Sequence, residues 1–479
     1  MSTEPETSLP QEAGPQEAGG WSGSLPMVSP PSPEQLAQER LALVGLESKG
    51  WGARAVGYMK FLGPGYMQSA LTLGSGSVAA SLFGGALFGY KLLWVPPVAM
   101  LLGMVMLTAV SHQTLSTGLR PFDAMRKYAG APFAWAWAVG ALVACVIWQF
   151  PQYSLAAAVL TDMGDIVGLQ LKTWWVGVAV MAWAGWISML YGSSARWIHR
   201  YEAMLKYMVW MVVVCLALAV WKIGVSDWGA LARGFFTFEI PEGRGGVSGL
   251  DVVLGGLAAA VGVNMVFLYP YSLLAKGWGK DHRRLARFDL FFSMLLPYFL
   301  ATTLLTLATA NTLYLDPTFE GKGLSPADAA HTVAGLLGLT FGRVIFNLGI
   351  LGMALSTITL EMLTAGFVCS ELFGWKVGSW KYRLGMWLTA PGVLGTVYWT
   401  EVAVWVAIPT SILCGFLLPA AYIGFILLHR SRAYLGPDLP QGIKGWLWTG
   451  GMAFGTLFLI GFLIIYAVTR LPVYLEKIF

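Results

Sequence analysis

A chain of 479 residues that is 56% hydrophobic and only 11% charged, with mean hydropathy +0.64, excludes a soluble globular protein, since such chains carry about 25% charged residues. It reads as an all-α polytopic membrane protein. The net charge of +5 follows the loops, so no nucleic-acid partner is expected.

Residues 1–52 differ in composition from the rest. They are rich in Pro, Glu, Ser and Gly and contain the tandem repeats Pro10–Gly14 and Pro15–Gly19. Such a segment buries too little apolar surface to order itself, so a disordered cytoplasmic tail is expected, with a short amphipathic helix over Pro33–Leu46. From residue 53 to 479 the chain reads as a transmembrane domain of about eleven spans. Their limits are about 60–88, 91–110, 132–160, 173–191, 204–223, 251–274, 287–311, 343–369, 384–399, 402–428 and 446–470. Tryptophans such as Trp94, Trp174, Trp175, Trp375, Trp399 and Trp446 fall near span ends, where amphipathic rings anchor at headgroup level.

Basic residues cluster in every second loop: Arg120, Arg126 and Lys127; Arg196, Arg200 and Lys206; Lys276 to Arg287; Lys376 to Arg383; and Arg430 to Lys444. The intervening loops carry isolated ones, such as Lys91 and Lys172. By the positive-inside rule this predicts a cytoplasmic N-terminus, in a plasma (inner) membrane. The four cysteines, Cys145, Cys215, Cys369 and Cys414, lie in apolar runs without paired spacing. They read as small buried side chains, not a disulfide or metal framework.

Two spans look interrupted. Span one contains Gly74-Ser75-Gly76-Ser77, with an outer half-helix expected from near Val78; span six contains Asn264 to Tyr271 with Pro270 as the expected break. Hydrocarbon cannot satisfy freed backbone groups, so an interrupted helix must line a protein cavity. Breaks five spans apart are the expected mark of two inverted five-helix repeats, at about 57–224 and 250–430, with an extra helix at about 446–470.

The run Gly63-Pro64-Gly65-Tyr66-Met67, followed by Gly84-Gly85-Ala86-Leu87-Phe88-Gly89-Tyr90-Lys91-Leu92-Leu93-Trp94-Val95, resembles the first two helices of NRAMP-type divalent-metal transporters. Arg200-Tyr201-Glu202-Ala203, the stretch Gly352 to Gly366, Leu418-Pro419 and Arg430-Ser431-Arg432 extend the resemblance over about residues 55 to 435. It implies a LeuT-type fold and alternating access.

The metal motifs depart from that pattern. Where the family's first helix reads D-P-G-N, this chain has Gly74, Ser75, Gly76 and Ser77. Where the sixth reads M-P-H-N, the ungapped match is Val266-Phe267-Leu268-Tyr269, with Met265 one position earlier. The candidate substrate-binding residues are therefore Gly74, Ser75, Gly76, Ser77, Met265, Val266, Phe267 and Tyr269, with Ser411 in span ten. The third-helix acids that the resemblance implies for proton exit fall on Gln152 and Val159, with Asp162 retained. The breaks alone would form a polar chamber without fixed negative charge, costing a divalent ion several kcal/mol, so manganese flux is expected to be weak or absent.

Glu361 stands at mid-span in span eight, where an ionisable group usually lines a pathway. It could carry a proton, neutralise a cation or meet a substrate ammonium; its structural alternative is a protonated carboxyl bonded to a neighbouring helix. Ser356, Thr357 and Thr359 could coordinate sodium or bond back to their own helix carbonyls. Asn264, Asn311 and Asn347 read as helix-to-helix hydrogen-bonding groups. No nucleophile elbow, P-loop or dinucleotide fingerprint stands out, so neither an enzyme nor a cofactor is expected.

The resulting reading is a secondary transporter whose default cargo, by resemblance, is a divalent metal ion, with the bilayer and a coupling cation as further partners. Two alternatives stay open. One is an ion-coupled carrier of an anionic or zwitterionic organic solute, held by backbone N–H groups at Gly74–Ser77; the other is a non-transporting membrane sensor.

Overall fold

The computed structural model describes residues 25–317, 319, 339–470 and 472. The repeats at Pro10–Gly19 lie outside them. Chain order gives α1 (Pro33–Glu47), α2 (Trp51–Tyr58), α3 (Pro64–Thr72), α4 (Ser75–Phe88), α5 (Val95–Thr117), α6 (Pro121–Tyr128) and α7 (Ala131–Ile166). Next come α8 (Thr173–Leu190), α9 (Ala195–Ile223), α10 (Trp228–Gly234), α11 (Gly249–Ala260), α12 (Val263–Ala275), α13 (Arg283–Asp289) and α14 (Leu296–Ala310). The last are α15 (Leu339–Phe373), α16 (Trp380–Met386), α17 (Gly395–Tyr398), α18 (Ala403–Gly415), α19 (Leu418–Arg430) and α20 (Gly442–Thr469).

Among the described residues, nine helical stretches are long and apolar enough to cross a bilayer, and the bent pair α3–α4 makes a tenth. The ninth expected span, at 384–399, is instead a string of short α and 3-10 turns from Trp380 to Tyr398. Pro391, inside the 3-10 stretch, removes a donor that a continuous α-helix would use. The short helix expected over Pro33–Leu46 is α1, which Ser32 caps by accepting from Gln35 N; ahead of it, in the stretch expected to be irregular, Val28 N donates to Val377 O at 2.9 Å. In span seven a π-helical stretch, Leu290–Leu295, joins α13 to α14.

Both breaks are shorter than expected and one lies elsewhere. α3 and α4 meet at 51° across Leu73 and Gly74 alone, so α4 begins at Ser75, not near Val78. Gly74 is needed for close approach, because a Cβ there would stand 2.4 Å from Gln152 Nε2. Span six breaks at Val261 and Gly262, not at Pro270, which lies inside α12. A proline deletes one hydrogen bond, and a helix buried along most of its length tolerates that. At Gly262 a Cβ would meet the Trp148 ring at 2.4 Å, so the backbone opens where that ring enters.

The four half-helices form the centre. Eleven of the twelve residues of α11 and twelve of the thirteen of α12 are buried. α11 packs on α4, α5 and α18, while α15 runs along α7, α9 and α3. The two breaks thus face each other inside a scaffold of continuous helices.

Candidate functional site

The ends of the half-helices satisfy one another first. Thr72, the last residue of α3, donates its hydroxyl to the carbonyls of Ala260 at 2.5 Å and Ala259 at 3.2 Å, at the end of α11. Ser77 donates to Thr72 O at 2.6 Å. Gln152 Oε1 accepts from Ser75 N at 2.9 Å, capping α4. On the other side, Met265 Sδ accepts from Gly262 N at 3.3 Å. Asn264 Oδ1 accepts from Met265 N at 2.9 Å.

Between these groups lies a small cavity of about 10 Å³, lined by Leu71, Thr72, Gly74, Gly76, Ser77, Trp148, Gln152, Ala259, Asn264, Met265 and Glu361. Its volume is that of a single water or a bare ion. Glu361 is 1% exposed, and neither of its carboxyl oxygens has a hydrogen-bond partner; Asn264 Nδ2 is also unpartnered. Glu361 is the only acid in the lining. The chamber therefore holds an acidic group after all, contributed by α15 and not by either break.

The other candidates are placed as follows. Ser75 is the first residue of α4, with its N–H taken by Gln152. Ser411 sits directly behind Gly76 and accepts from Trp148 Nε1 at 3.2 Å. Val266, Phe267 and Tyr269 do not line the cavity. A helix turns about 100° per residue, so with Asn264 and Met265 aimed inward Val266 and Phe267 turn away into packing, while Tyr269, four residues beyond Met265, shares its face but lies a full turn farther from the break. Phe267 stacks on Tyr271 with centroids 4.8 Å apart, and Tyr269 donates to Ala286 O at 3.4 Å.

Asp162 lies far from Gln152 on the same helix, ten residues or roughly 15 Å along it. Arg343 Nε donates to it at 2.9 Å and Asn347 Nδ2 at 2.6 Å, a structural ion pair away from the cavity. Ser356 and Thr357 are engaged twice, with Met353 O and with Ala70 O, the latter at 3.3 and 2.9 Å. They thus satisfy a carbonyl near the end of α3. Thr359 donates to Ser356 O and accepts from Tyr201 at 2.9 Å. All three hydroxyls thus donate to backbone carbonyls in this conformation.

Sequence reasoning missed Thr72 as part of the site and gave Trp148, with Tyr269 and Tyr271, only as an aromatic side chain that could line a cavity. Thr72 was readable, being the polar residue just before the Gly-Ser run. Trp148 had no signal among 22 tryptophans. Among the described residues no group of three or more His, Cys, Asp or Glu side chains gathers to hold a metal. Any cation here would meet one carboxyl, a hydroxyl, side-chain amides, a thioether and carbonyls.

At the base of span one, Gly65 N donates to Asp289 Oδ2 at 2.7 Å. Beside it Lys276 Nζ pairs with Glu202 at 3.0 Å, both side chains under 5% exposed, and also donates to Phe61 O. These contacts fix where α3 starts.

Comparison with known proteins agrees with this architecture. The chain is 25% identical over 433 residues, covering 87% of it and 92% of the relative, to a divalent metal cation transporter MntH of Deinococcus radiodurans. It is 23% identical over 341 residues, 68% of it and 69% of the relative, to the MntH of Agrobacterium fabrum. Its fold is similar to that of the Eremococcus coleocola manganese transporter, with TM-score 0.67, 15% identity and 94% and 92% of the two chains covered. It is also similar to the fold of MhsT in complex with L-phenylalanine, with TM-score 0.54, 13% identity and 83% and 98% covered. The LeuT-type architecture is thus common to all three. Residues 65–468 match the description "Natural resistance-associated macrophage protein-like", and the chain belongs to that family, Nramp.

Proposed function

We propose that the chain moves a small divalent metal cation across the membrane by alternating access, and that Glu361 supplies the charge the first-span motif lacks. The observation that carries this reading is the Glu361 carboxyl, buried with both oxygens unpartnered in a cavity of ionic size between the two breaks. A buried carboxylate must be neutralised or matched by a cation. Arrival of a cation and departure of a proton are therefore linked at this side chain. The names of the Deinococcus and Agrobacterium relatives support a divalent cargo.

Relative to a site with a first-span aspartate, this one binds more weakly, because hard divalent ions favour several charged oxygens. Met265 adds a soft donor that suits manganese better than magnesium. The test is uptake of manganese into proteoliposomes against empty liposomes. Saturable uptake supports the reading, and absence of any uptake at millimolar manganese overturns it.

A further inference from the structure

A second pocket lies at the base of the protein, apart from the central cavity. It is open, about 440 Å³, and is lined by Trp51, Arg54 and Tyr58 from α2 and Arg284, Arg287 and Phe288 from α13. Three guanidinium groups converge here. Arg284 pairs with Glu47 at 3.0 Å, but among the described residues no carboxylate pairs with Arg54 or Arg287. The pocket thus carries uncompensated positive charge in a planar-donor geometry that suits phosphate oxygens.

Its surroundings are apolar on the outside. Trp51, which lines the pocket, is 77% exposed, and Leu41 on the neighbouring α1 is 72% exposed, with Val44 and Val56 also outward. Large apolar side chains presented this way beside arginines mark an interfacial segment whose rings sit at headgroup depth. The pocket also belongs to the most basic loop of the chain, Lys276 to Arg287, the kind that faces the anionic cytoplasmic leaflet.

We propose that this pocket binds the phosphate headgroup of an anionic phospholipid of the cytoplasmic leaflet, bridging α2 to α13. The exposed Trp51 and Leu41 favour a headgroup with acyl chains over a free phosphate ion. The site stands next to the transport machinery: Asp289, two residues beyond Arg287, accepts from Gly65 N at the start of α3. Headgroup binding therefore steadies the base of the broken span.

The test uses the full chain in nanodiscs of phosphatidylcholine alone or with phosphatidylglycerol. Phosphatidylglycerol raises the unfolding temperature of the wild type, and Arg54→Gln with Arg287→Gln removes most of that rise. Lipid affinity falls roughly fivefold for each guanidinium lost. Arg196→Gln with Arg200→Gln, basic residues elsewhere on the same side, keeps the rise. Inorganic phosphate in phosphatidylcholine discs has no effect. A rise that survives in the Arg54/Arg287 variant, or that inorganic phosphate reproduces, overturns the proposal.

A second measurement does not depend on those variants folding. Brominated phosphatidylglycerol quenches the fluorescence of Trp51, taken as the difference between wild type and Trp51→Phe, more than brominated phosphatidylcholine does at equal mole fraction. Equal quenching by the two lipids overturns it too.

Discussion

Thr72 Oγ1 and the Ala260 carbonyl stand 2.5 Å apart and tie the two broken spans together. The same hydroxyl reaches Ala259 O, so one side chain from span one satisfies the freed end of α11. Exchanging it for valine keeps the shape and leaves those carbonyls without their donor. Thr72→Val is expected to lower stability by about 1–3 kcal/mol, read as a lower unfolding temperature in nanodiscs. An unchanged unfolding temperature would show that the tie contributes nothing.

Gln152 offers a gain-of-charge test. Its Oε1 caps Ser75 N, and glutamate keeps that acceptor while adding a carboxylate to the cavity lining. Gln152→Glu is expected to tighten manganese binding about tenfold, measured by calorimetry. Weaker or equal binding would mean that a cation does not approach this side of the cavity.

The buried pair of Glu202 and Lys276 gives an asymmetric prediction. Removing one partner strands a charge, so Glu202→Gln costs about 3–5 kcal/mol. Replacing both, as Glu202→Leu with Lys276→Met, recovers most of that loss, because the desolvation cost disappears with the charges. Thermal unfolding of the single and double variants checks the order; a double variant less stable than the single one would contradict it.

The loop before α20 carries a pH-dependent contact. Asp438 accepts from Lys280 at 2.7 Å and from Arg283 at 3.0 Å, and those hydrogen bonds, Lys280's first, hold its carboxyl below the usual carboxylate range. A depressed folded-state pKa gives stability that is present above the unfolded value and lost as pH falls through the folded one. Asp438→Asn is therefore expected to lower the unfolding temperature at pH 7, and by progressively less as pH falls below the usual carboxylate range. A difference that persists unchanged in acid would argue for packing instead of charge.

Much of this was legible in the sequence, for reasons visible at particular residues. Gly74 to Ser77 interrupt an apolar run with the smallest residues, so the break in span one was plain; the two-residue length of that break was not, because Ser75 to Ser77 enter a helical turn once Gln152 caps it. Span six misled because Pro270 is the conspicuous helix breaker. The real opening at Gly262 is set by Trp148, a contact from another helix that no local pattern reveals.

Glu361 was conspicuous as an isolated mid-span acid. Asp162 was equally conspicuous, but its partner Arg343 lies 181 positions away, so sequence alone could not tell pathway from ion pair. Val266 and Phe267 were misplaced by helical phase, which depends on where the half-helix starts, and Tyr269 by lying a full turn beyond Met265 along the same face.

The most direct test of the central claim compares manganese binding to the wild type and Glu361→Gln by calorimetry in identical nanodiscs, with Asp162→Asn alongside. Binding is expected to be at least about tenfold weaker in Glu361→Gln and of wild-type affinity in Asp162→Asn wherever that variant remains folded. Equal affinity of wild type and Glu361→Gln would contradict it.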